Sequence, residues 1–439
     1  MMAAAPAPTT APHRKVYPRT VRGRFHGMRR SINTVLQAIL FATPWLTWQG
    51  HQAILFDIGA RRFHLFGWAF WPQELYFLHL ILIMAALTLF VSTAIGGRMW
   101  CGYACPQTLM TESFVTVERW LEGDRAARMR LDRAPWNADK FWRKGLKYGI
   151  WAGMALWLGI TFVGYFTPIR SIVRDPWGVA GPVLFFAGAA FFDFGWFREQ
   201  MCHYVCPYAR FQGSMFDQDT LIVGYDTRRG EPRGKVSKAD AGDCIDCKLC
   251  VQVCPMGIDI RNGLQMECIA CTACVDACDS MMDKVGRPRG LVRYSSLRAL
   301  QQGSTQLIRP RVVVYGLLLL ALAGLFVTLL ARRPLVTCEV VGGNVFSRAQ
   351  NDEIANVYKL KLINKDGISH HVRLEAVGAQ LLTARNPIEL PGDEAQDIQI
   401  LLTRPASGLP PISHVQVVTT DVESGTRSVQ ETSFVGPGL

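Results

Sequence analysis

The 439-residue sequence predicts a mixed fold, in which an α-helical membrane domain of five spans carries an inserted bacterial-type two-cluster ferredoxin domain and a C-terminal immunoglobulin-like β-sandwich. Apolar residues make up 49% of the chain and charged residues 19%. That balance is too apolar for an ordinary soluble protein and too charged for a membrane bundle alone. Eight closely spaced cysteines and a strand-like period of two after residue 334 predict the other two parts.

Five apolar runs are predicted to cross a membrane. The run 312–331 has twenty residues and no charge, which is enough to cross about 30 Å of hydrocarbon. The run 32–48 is shorter and ends in two Trp residues suited to a membrane interface. The predicted spans are residues 32–48, 75–97, 146–167, 179–197 and 312–331. The predicted domains are a basic disordered tail at 1–31, a membrane domain at 32–207, a ferredoxin domain at 208–311 and a β-domain at 334–439.

The distribution of Lys and Arg predicts the orientation, because cytoplasmic loops retain these residues. Residues 1–31 hold seven and residues 98–147 hold ten, whereas residues 49–74 hold two. We therefore expect a bacterial inner-membrane protein with its N-terminus and ferredoxin domain in the cytoplasm. An odd number of spans sends the C-terminal domain to the periplasm. The net charge of +12 then reflects topology, and we expect contact with membrane lipid and no nucleic-acid partner.

Two cysteine runs predict two [4Fe–4S] clusters. CIDCKLCVQVCP begins at Cys244 and CIACTACVDAC begins at Cys268, and both have the C-x2-C-x2-C-x3-C spacing of bacterial ferredoxins. In such runs the fourth cysteine ligates the other cluster. The predicted ligand sets are Cys244, Cys247, Cys250 and Cys278 for one cluster, and Cys268, Cys271, Cys274 and Cys254 for the other.

Zinc ribbons and disulfides are the alternatives to clusters at these runs. Zinc does not need two complete runs, and a reducing cytoplasm disfavours disulfides. Asp279 stands where the second run usually has Pro, which is a departure from the pattern. Two neighbouring one-electron centres predict electron transfer and not hydrolysis.

A second motif, C-x-Y-x-C-P, occurs twice, each time after an apolar span. On a helix, residues four apart share a face, and the prolines are expected to end or kink that helix. Structural packing of small thiols is the alternative interpretation. Two thiol pairs brought together would form a soft-ligand site that suits Cu(I), zinc or iron–sulfur. The predicted metal and catalytic residues are Cys101, Cys105, Cys202 and Cys206.

The C-terminal segment from residue 334 contains several strand-like runs separated by Gly, Pro and Asp turns, which is typical of an immunoglobulin-like sandwich. Its adjacent His370 and His371 are expected to point to opposite faces of a strand. A copper site built only within this domain has little support from the sequence, and a docking surface is the better interpretation.

Several longer stretches are far more specific than the cysteine spacing alone, and they include PWLTWQGHQAILFDIGARRFHLFG, RMWCGYACPQT, MCHYVCPYARFQGSMFD and DACDSMMDKVGRPRGLVRY. On these stretches, from about residue 25 onward, the chain resembles the CcoG/FixG/RdxA family of cytochrome c oxidase accessory proteins. The resemblance implies a membrane protein with two [4Fe–4S] clusters and an immunoglobulin-like C-terminal domain. It also implies a role in assembling a copper-containing oxidase, with reduction of Cu(II) to Cu(I) as the activity.

The resemblance implies haem–copper oxidase assembly factors or copper chaperones as partners, and a homodimer stays open. The rival hypothesis is an electron-relay subunit similar to the NapH-type quinol dehydrogenases, against which the extra span and the β-domain count. The electron donor is unknown, because the sequence has neither a dinucleotide-binding fingerprint nor a flavin signature. Quinol, a flavoprotein and a soluble ferredoxin stay open as donors.

Overall fold

A computed structural model of the chain describes residues 15–48, 50–236, 240–348, 353–365, 367–383 and 385–437. The chain forms two compact units. The first comprises Met1–Pro44 and Leu80–Ala323, and the second comprises Trp45–His79 and Gly324–Leu439. The cysteine motifs predicted to carry the chemistry all belong to the first unit.

The first unit is mainly helical. One short antiparallel sheet, β6 with β7, frames the cysteine runs of the ferredoxin region. The α-helices of the whole chain are α1 (Arg24–Ala42), α2 (Leu75–Gly96), α3 (Met99–Tyr103), α4 (Pro106–Glu122), α5 (Arg125–Arg133), α6 (Ala138–Val163), α7 (Ile169–Arg174), α8 (Ala180–Ala190), α9 (Pro207–Met215), α10 (Thr227–Gly230), α11 (Leu249–Gln252), α12 (Ala273–Lys284), α13 (Leu297–Gln302) and α14 (Pro310–Ala331).

The second unit is mainly β-structure. The strands of the whole chain are β1 (Thr47–Trp48), β2 (His51–Gln52), β3 (Ile54–Asp57), β4 (Arg62–Leu65), β5 (Trp68–Phe70), β6 (Leu221–Tyr225), β7 (Val292–Ser296), β8 (Val336–Arg348), β9 (Glu353–Asn364), β10 (His370–Val377), β11 (Gln380–Leu382), β12 (Ile388–Leu390), β13 (Ala395–Pro405), β14 (Ile412–Asp421) and β15 (Arg427–Val435).

Two four-stranded antiparallel sheets form the predicted C-terminal sandwich, with strand orders β12-β10-β14-β15 and β11-β13-β9-β8. Alternate residues of these strands are buried, as in β10, because successive side chains point to opposite faces of a sheet. Their inward side chains, including Tyr358, Leu360 and Phe434, form one apolar core. Cys338 lies in that core and is 2% exposed.

Four described helices are long and apolar enough to cross a membrane: Pro72–Gly96, Ala138–Val163, Ala180–Phe197 and Pro310–Ala331. The last of these contains the charge-free run 312–331 of the sequence. The mixed fold class is confirmed, but the count of candidate spans within the described residues is four and not five.

The predicted first span at 32–48 is wrong in its bounds. Helix α1 starts earlier, at Arg24, and ends at Ala42, where a 3-10 turn and then strand β1 follow. Pro44 lies in that turn and has no N–H group with which to continue helical hydrogen bonding. The first half of α1 is basic, so α1 is less apolar than the four helices that are long and apolar enough to cross a membrane.

The predicted disordered tail at 1–31 is also wrong where the structure describes it, since residues 1–14 lie outside the described residues. Residues 15–22 form an extended segment against other parts of the first unit, and α1 follows. Their partners lie more than a hundred residues away, so no local pattern signals these contacts. The pairs are Lys15 with Glu118 at 2.9 Å, Arg19 N–H with the Gln252 carbonyl at 2.8 Å, and Thr20 N–H with Asp124 Oδ1 at 2.9 Å.

Buried ion pairs hold α4 and α6 together in the first unit. Glu118 is fully buried, and Arg198 Nη2 lies 2.8 Å from its Oε2 atom. Lys144 and Lys147 lie 2.9 and 2.8 Å from Glu122 Oε1. Buried charges are tolerated when they are paired in this way. This network joins α4, which follows the first cysteine-proline motif, to α6 and to Arg198, which precedes the second motif.

Candidate functional site

Each ferredoxin-type cysteine run folds into a loop with two non-glycine residues in the left-handed backbone region. L-residues rarely adopt that conformation, which costs about 1–2 kcal/mol per residue. In each run, the two left-handed residues lie on either side of the second cysteine, so the two loops have the same local geometry. The residues are Asp246 and Lys248 around Cys247, with φ of 52° and 58°, and Ala270 and Thr272 around Cys271, with φ of 51° and 59°.

The cysteines of these loops surround two small cavities of about 20 Å³ each. Cys250 lines both cavities, so the two are neighbours. One cavity is lined by Cys244, Cys247, Cys250 and Cys278, and the other by Cys254, Cys268, Cys271, Cys274 and Cys250. Each cavity thus contains all four cysteines of one predicted crossed ligand set. Cluster ligation at these residues stays a prediction.

The surroundings of these thiols fit an iron–sulfur cluster. Burial and the neighbouring Cys271 raise the pKa of Cys254 to about 12, and burial raises the pKa of Cys278 to about 12. Thiolates are therefore unfavourable there unless a cation neutralises them. Iron supplies that positive charge, and cysteine thiolates are the ligands that hold [4Fe–4S] clusters.

The two C-x-Y-x-C-P motifs have matching breaks in their helices. Helix α3 contains Cys101 and ends at Tyr103, after which Cys105 precedes the first residue of α4. In the second copy a π-helical turn contains Cys202, and Cys206 precedes the first residue of α9. The expectation that each proline ends a helix is confirmed. The expectation that each thiol pair lies on one helix face is wrong, because each pair straddles the break that its proline imposes.

The four thiols of the two motifs lie within electrostatic range of one another, because the other thiols act on the pKa of Cys101 and of Cys202. Burial raises the pKa of Cys101 to about 12, and the charges of Cys105 and Cys206 act in the same direction, whereas Arg98 opposes them. Burial and the charges of the other three thiols likewise raise the pKa of Cys202 to about 12. The arrangement is therefore a partly buried set of sulfur atoms in which Cys101 and Cys202 stay protonated unless they bind a cation.

This thiol set lies beside the loop of the second ferredoxin-type run. Cys101 and Cys202 pack against the same apolar cluster as Cys254 and Cys274, and that cluster includes Cys271. The Tyr103 hydroxyl lies 2.7 Å from Thr272 Oγ1, and both residues are buried. The two kinds of cysteine site therefore share one packed region, although Cys101 and Cys268 are more than 160 residues apart in the sequence.

Gly102 permits this close packing. A Cβ atom at this position would lie 2.7 Å from the Ile269 carbonyl oxygen and 2.9 Å from that of Ala270. Contacts this short do not occur for real Cβ atoms, so a larger residue would push α3 away from the cysteine loop. The glycine within CGYACP thus sets the distance between the motif and the second run.

Two further residues, which no sequence motif indicates, position the site. Arg98 is 4% exposed and donates hydrogen bonds to the carbonyl oxygens of Met266 and Ala209, which ties the loop before Cys268 to α9. Gln212 is fully buried, and its Oε1 atom accepts a hydrogen bond from Cys101 Sγ at 3.3 Å. Arg98 adjoins the first motif and Gln212 follows the second, but their partners lie over a hundred residues away.

A cavity of about 80 Å³ reaches Cys202. The extended segment before α1, helix α4 and the loop that follows Cys254 form its walls. Titratable side chains such as His26, Glu112 and Arg119 line it together with apolar side chains such as Val115 and Met256. It therefore offers both apolar surface and proton-exchanging groups next to a thiol and a cysteine loop.

Family models match three parts of the chain. A 4Fe-4S dicluster domain matches residues 197–297, and a 4Fe-4S binding domain matches residues 78–122. The IG-like fold at the C-terminal of FixG matches residues 326–437. These matches agree with the predicted iron–sulfur clusters and with the β-sandwich.

Three curated proteins are similar over most of their length. RdxA of Cereibacter sphaeroides is 42% identical, covering 85% of this chain and 84% of RdxA. RdxB of the same organism is 38% identical, covering 96% of both chains, and the nitrogen fixation protein FixG of Rhizobium meliloti is 35% identical, covering 97% of this chain and 93% of FixG. The protein is therefore a member of the FixG/RdxA family and a membrane-associated iron–sulfur electron-transfer protein.

Proposed function

We propose that the protein reduces Cu(II) to Cu(I) at Cys101, Cys105, Cys202 and Cys206, for insertion into a cytochrome c oxidase. The observation that carries this proposal is the meeting of these four thiols beside the loop of the second ferredoxin-type run. Copper is the substrate here, and the proposed electrons come from the clusters of this same chain.

The chemistry of the thiols supports a copper substrate. Sulfur donors prefer Cu(I) to Cu(II), so a site made of thiols favours the reduced ion. Burial keeps Cys101 and Cys202 protonated in the absence of metal, and a bound cation reverses that preference. Four thiolates around one monovalent ion would leave a large negative charge in a poorly solvated place. The proposed stoichiometry is two or three thiolates per Cu(I), or two ions sharing all four.

The side chains around the thiols support electron transfer to that substrate. When bound, the two clusters supply one-electron storage and transfer. Arg98 and Tyr103 hold α3 against the residues around Cys268 and Cys271, which keeps the thiols at a fixed place beside the second cluster loop. Each Cu(II) requires one electron, and the copper ion then leaves as Cu(I).

A second candidate function is an electron relay fed by a quinol, for which the cavity at Cys202 is the supporting observation. Oxidation of a hydroquinone releases two electrons and two protons. His26 and Glu112 line the cavity next to the loop that follows Cys254, and imidazole and carboxylate groups are common proton acceptors. If addition of a quinol reduces the clusters while no Cu(II) is reduced, the relay describes the protein better than cupric reduction does.

The proposed location is a bacterial inner membrane, with the ferredoxin region in the cytoplasm and the C-terminal β-sandwich in the periplasm. The excess of Lys and Arg in residues 98–147 over residues 49–74 supports this orientation. It requires α1 to cross the membrane in addition to the four apolar helices. The proposed partners are oxidase assembly factors or copper chaperones, which would accept the Cu(I).

The test is cupric reduction by the purified full-length protein, with dithionite as the reductant of the clusters and a Cu(I)-specific chelator as the probe. Replacing all four motif cysteines by Ser is expected to abolish reduction beyond the dithionite background. Cys338→Ala is the matched control, because that thiol lies in the core of the β-sandwich. If the four-Ser variant reduces Cu(II) at the wild-type rate, copper is not reduced at these thiols.

A further inference from the structure

We infer that His370, Asp421 and Glu423 form a binding site for a Cu(II) ion on the C-terminal β-sandwich. None of the cysteines discussed above is among its ligands, and it does not depend on the proposed function. His370 begins β10, Asp421 ends β14, and Glu423 lies in the turn between β14 and β15. The two strands are neighbours in one sheet, with Val372 paired to Asp421, so residues far apart in sequence meet at one sheet end.

The distances among the three side chains match those of metal ligands. His370 Nδ1 lies 3.0 Å from both carboxylate oxygens of Asp421 and 4.0 Å from Glu423 Oε2. Metal bonds to imidazole nitrogen and carboxylate oxygen are about 2.0–2.1 Å long. At that length, adjacent ligands at a right angle are about 2.9 Å apart and opposite ligands are about 4.1 Å apart. The separation between His370 Nδ1 and the Asp421 oxygens therefore matches adjacent ligands, and the ligand atoms of all three residues lie within 4.8 Å of one another, so that one ion can contact all three.

Surrounding groups hold both carboxylates in place. His371 Nδ1 lies 2.6 Å from Glu423 Oε1, and the His371 backbone N–H donates to Oε2 at 2.8 Å. The Ser424 hydroxyl donates to Asp421 Oδ2 at 2.5 Å. Groups that orient metal ligands in this way tune metal affinity, typically by 10–100-fold. His370 and His371 point to opposite faces of β10, as the sequence predicts, but Glu423 reaches both of them.

The ligand set selects the metal. Imidazole nitrogen is a ligand that suits zinc, copper, iron and nickel, and among divalent first-row ions Cu(II) binds most tightly to a given site of nitrogen and oxygen ligands. His370 and Asp421 are 4% and 2% exposed, whereas Glu423 is exposed and leaves an approach for the ion and for water ligands. The alternative is that His370 and Asp421 form a structural hydrogen bond, and in that case no metal binds.

The experiment uses the full-length protein with Cys101, Cys105, Cys202 and Cys206 replaced by Ser, so that thiols of the proposed reduction site cannot bind the probe. Cu(II) is titrated into this protein and followed by electron paramagnetic resonance. We expect one Cu(II) per chain with hyperfine coupling to an imidazole nitrogen. Glu423→Gln is expected to weaken binding more than tenfold, and His371→Ala about tenfold, because His371 only orients the ligand.

His414→Ala is the matched control, since His414 faces Glu431 in an exposed pair on the same sheet, with 3.7 Å between Nδ1 and Oε1. This variant is expected to bind Cu(II) as the parent does. The inference is overturned if Glu423→Gln and His371→Ala both still bind nitrogen-coupled Cu(II) as the parent does. It is also overturned if the parent binds no Cu(II). Both outcomes leave the proposed reduction at the cysteines untouched, because those cysteines are absent from the protein tested.

Discussion

Cys254 belongs to the first cysteine run in sequence but lines the cavity of the second in the structure. The C-x3-C interval carries the fourth cysteine out of reach of its own triplet. Cys278 does the reverse and lines the cavity of Cys244, Cys247 and Cys250. At the scale of the residue, spacing alone was enough to predict which thiols would meet.

Replacing Cys254 by Ser is therefore expected to remove the cluster predicted at Cys268, Cys271 and Cys274. Electron paramagnetic resonance of the reduced protein should then show one [4Fe–4S] signal in place of two interacting ones. Cys247→Ser is the matched control and should remove the other cluster. If Cys254→Ser instead removes the signal that Cys247→Ser also removes, the crossed assignment is wrong.

Glu118 illustrates what sequence could not predict at this scale. Nothing in its local sequence shows that Lys15 and Arg198 will surround it. Burial alone would raise the pKa of Glu118, but the charges of Arg198, Lys15 and Lys147 lower it to about 2. Its ionised form therefore stabilises the fold fully above about pH 4.5, and this contribution is lost as the pH falls toward 2.

Glu118→Gln is expected to destabilise the protein by about 3–5 kcal/mol at neutral pH, because it leaves buried cations without their partner. Thermal unfolding in detergent between pH 7 and pH 3 measures this. The difference in midpoint between wild type and variant should shrink as the pH falls below about 4.5. Asp139→Asn removes an exposed i,i+4 pair with Arg143 and should have little effect. A difference independent of pH contradicts the role given to Glu118.

At the scale of the element, periodicity predicted the strands of the β-sandwich and the long apolar helices, because burial of one face imposes a regular pattern. It placed the first helix wrongly. The basic residues at the start of α1 predicted a disordered tail, because their acidic partners lie far away in the sequence. Arg29, for example, pairs with Glu112. It also placed each thiol pair on a continuous helix, whereas Pro106 and Pro207 each begin a new one.

Gly102→Ala tests the contact between α3 and the second cysteine loop. The added Cβ atom would meet the Ile269 carbonyl at 2.7 Å, so we expect the loop around Cys268 and Cys271 to shift and the second cluster to be lost or weakened. Iron content and cluster spectra measure this. Gly149→Ala is the control, because a Cβ atom there meets nothing within 4 Å. Full iron content in both variants contradicts the close packing.

At the scale of the whole molecule, topology depends on α1. The four apolar helices alone place both ends of the chain on one side of a membrane, and a fifth crossing by α1 places them on opposite sides. Charge bias in the sequence predicts opposite sides. It cannot say which helix supplies the odd crossing, because α1 combines basic and apolar residues.

Alkaline phosphatase fused after Leu439 distinguishes these two topologies, since the enzyme folds actively only outside the cytoplasm. We expect the phosphatase fusion to be active. A green fluorescent protein does not fluoresce after export, so we expect the same fusion made with that protein to be non-fluorescent. A fusion to the N-terminus serves as the cytoplasmic control. An inactive phosphatase together with a fluorescent fusion would show that α1 does not cross.

We propose that the four thiols of the C-x-Y-x-C-P motifs form a copper site distinct from the two predicted [4Fe–4S] clusters. The 4Fe-4S binding model that matches residues 78–122 covers only two cysteines, Cys101 and Cys105, so a third cluster shared with Cys202 and Cys206 is the sharpest competing assignment. Iron and sulfide analysis separates the two, because each [4Fe–4S] cluster contains four iron atoms.

The decisive measurement is the iron, sulfide and copper content of wild type and the four-Ser variant after exposure to Cu(I) and removal of unbound metal. Two clusters predict eight iron atoms per chain in both proteins, with copper retained by wild type and lost from the variant. Twelve iron atoms in wild type and eight in the variant, with equal copper in both, would show that these thiols hold a third cluster and contradict the copper site.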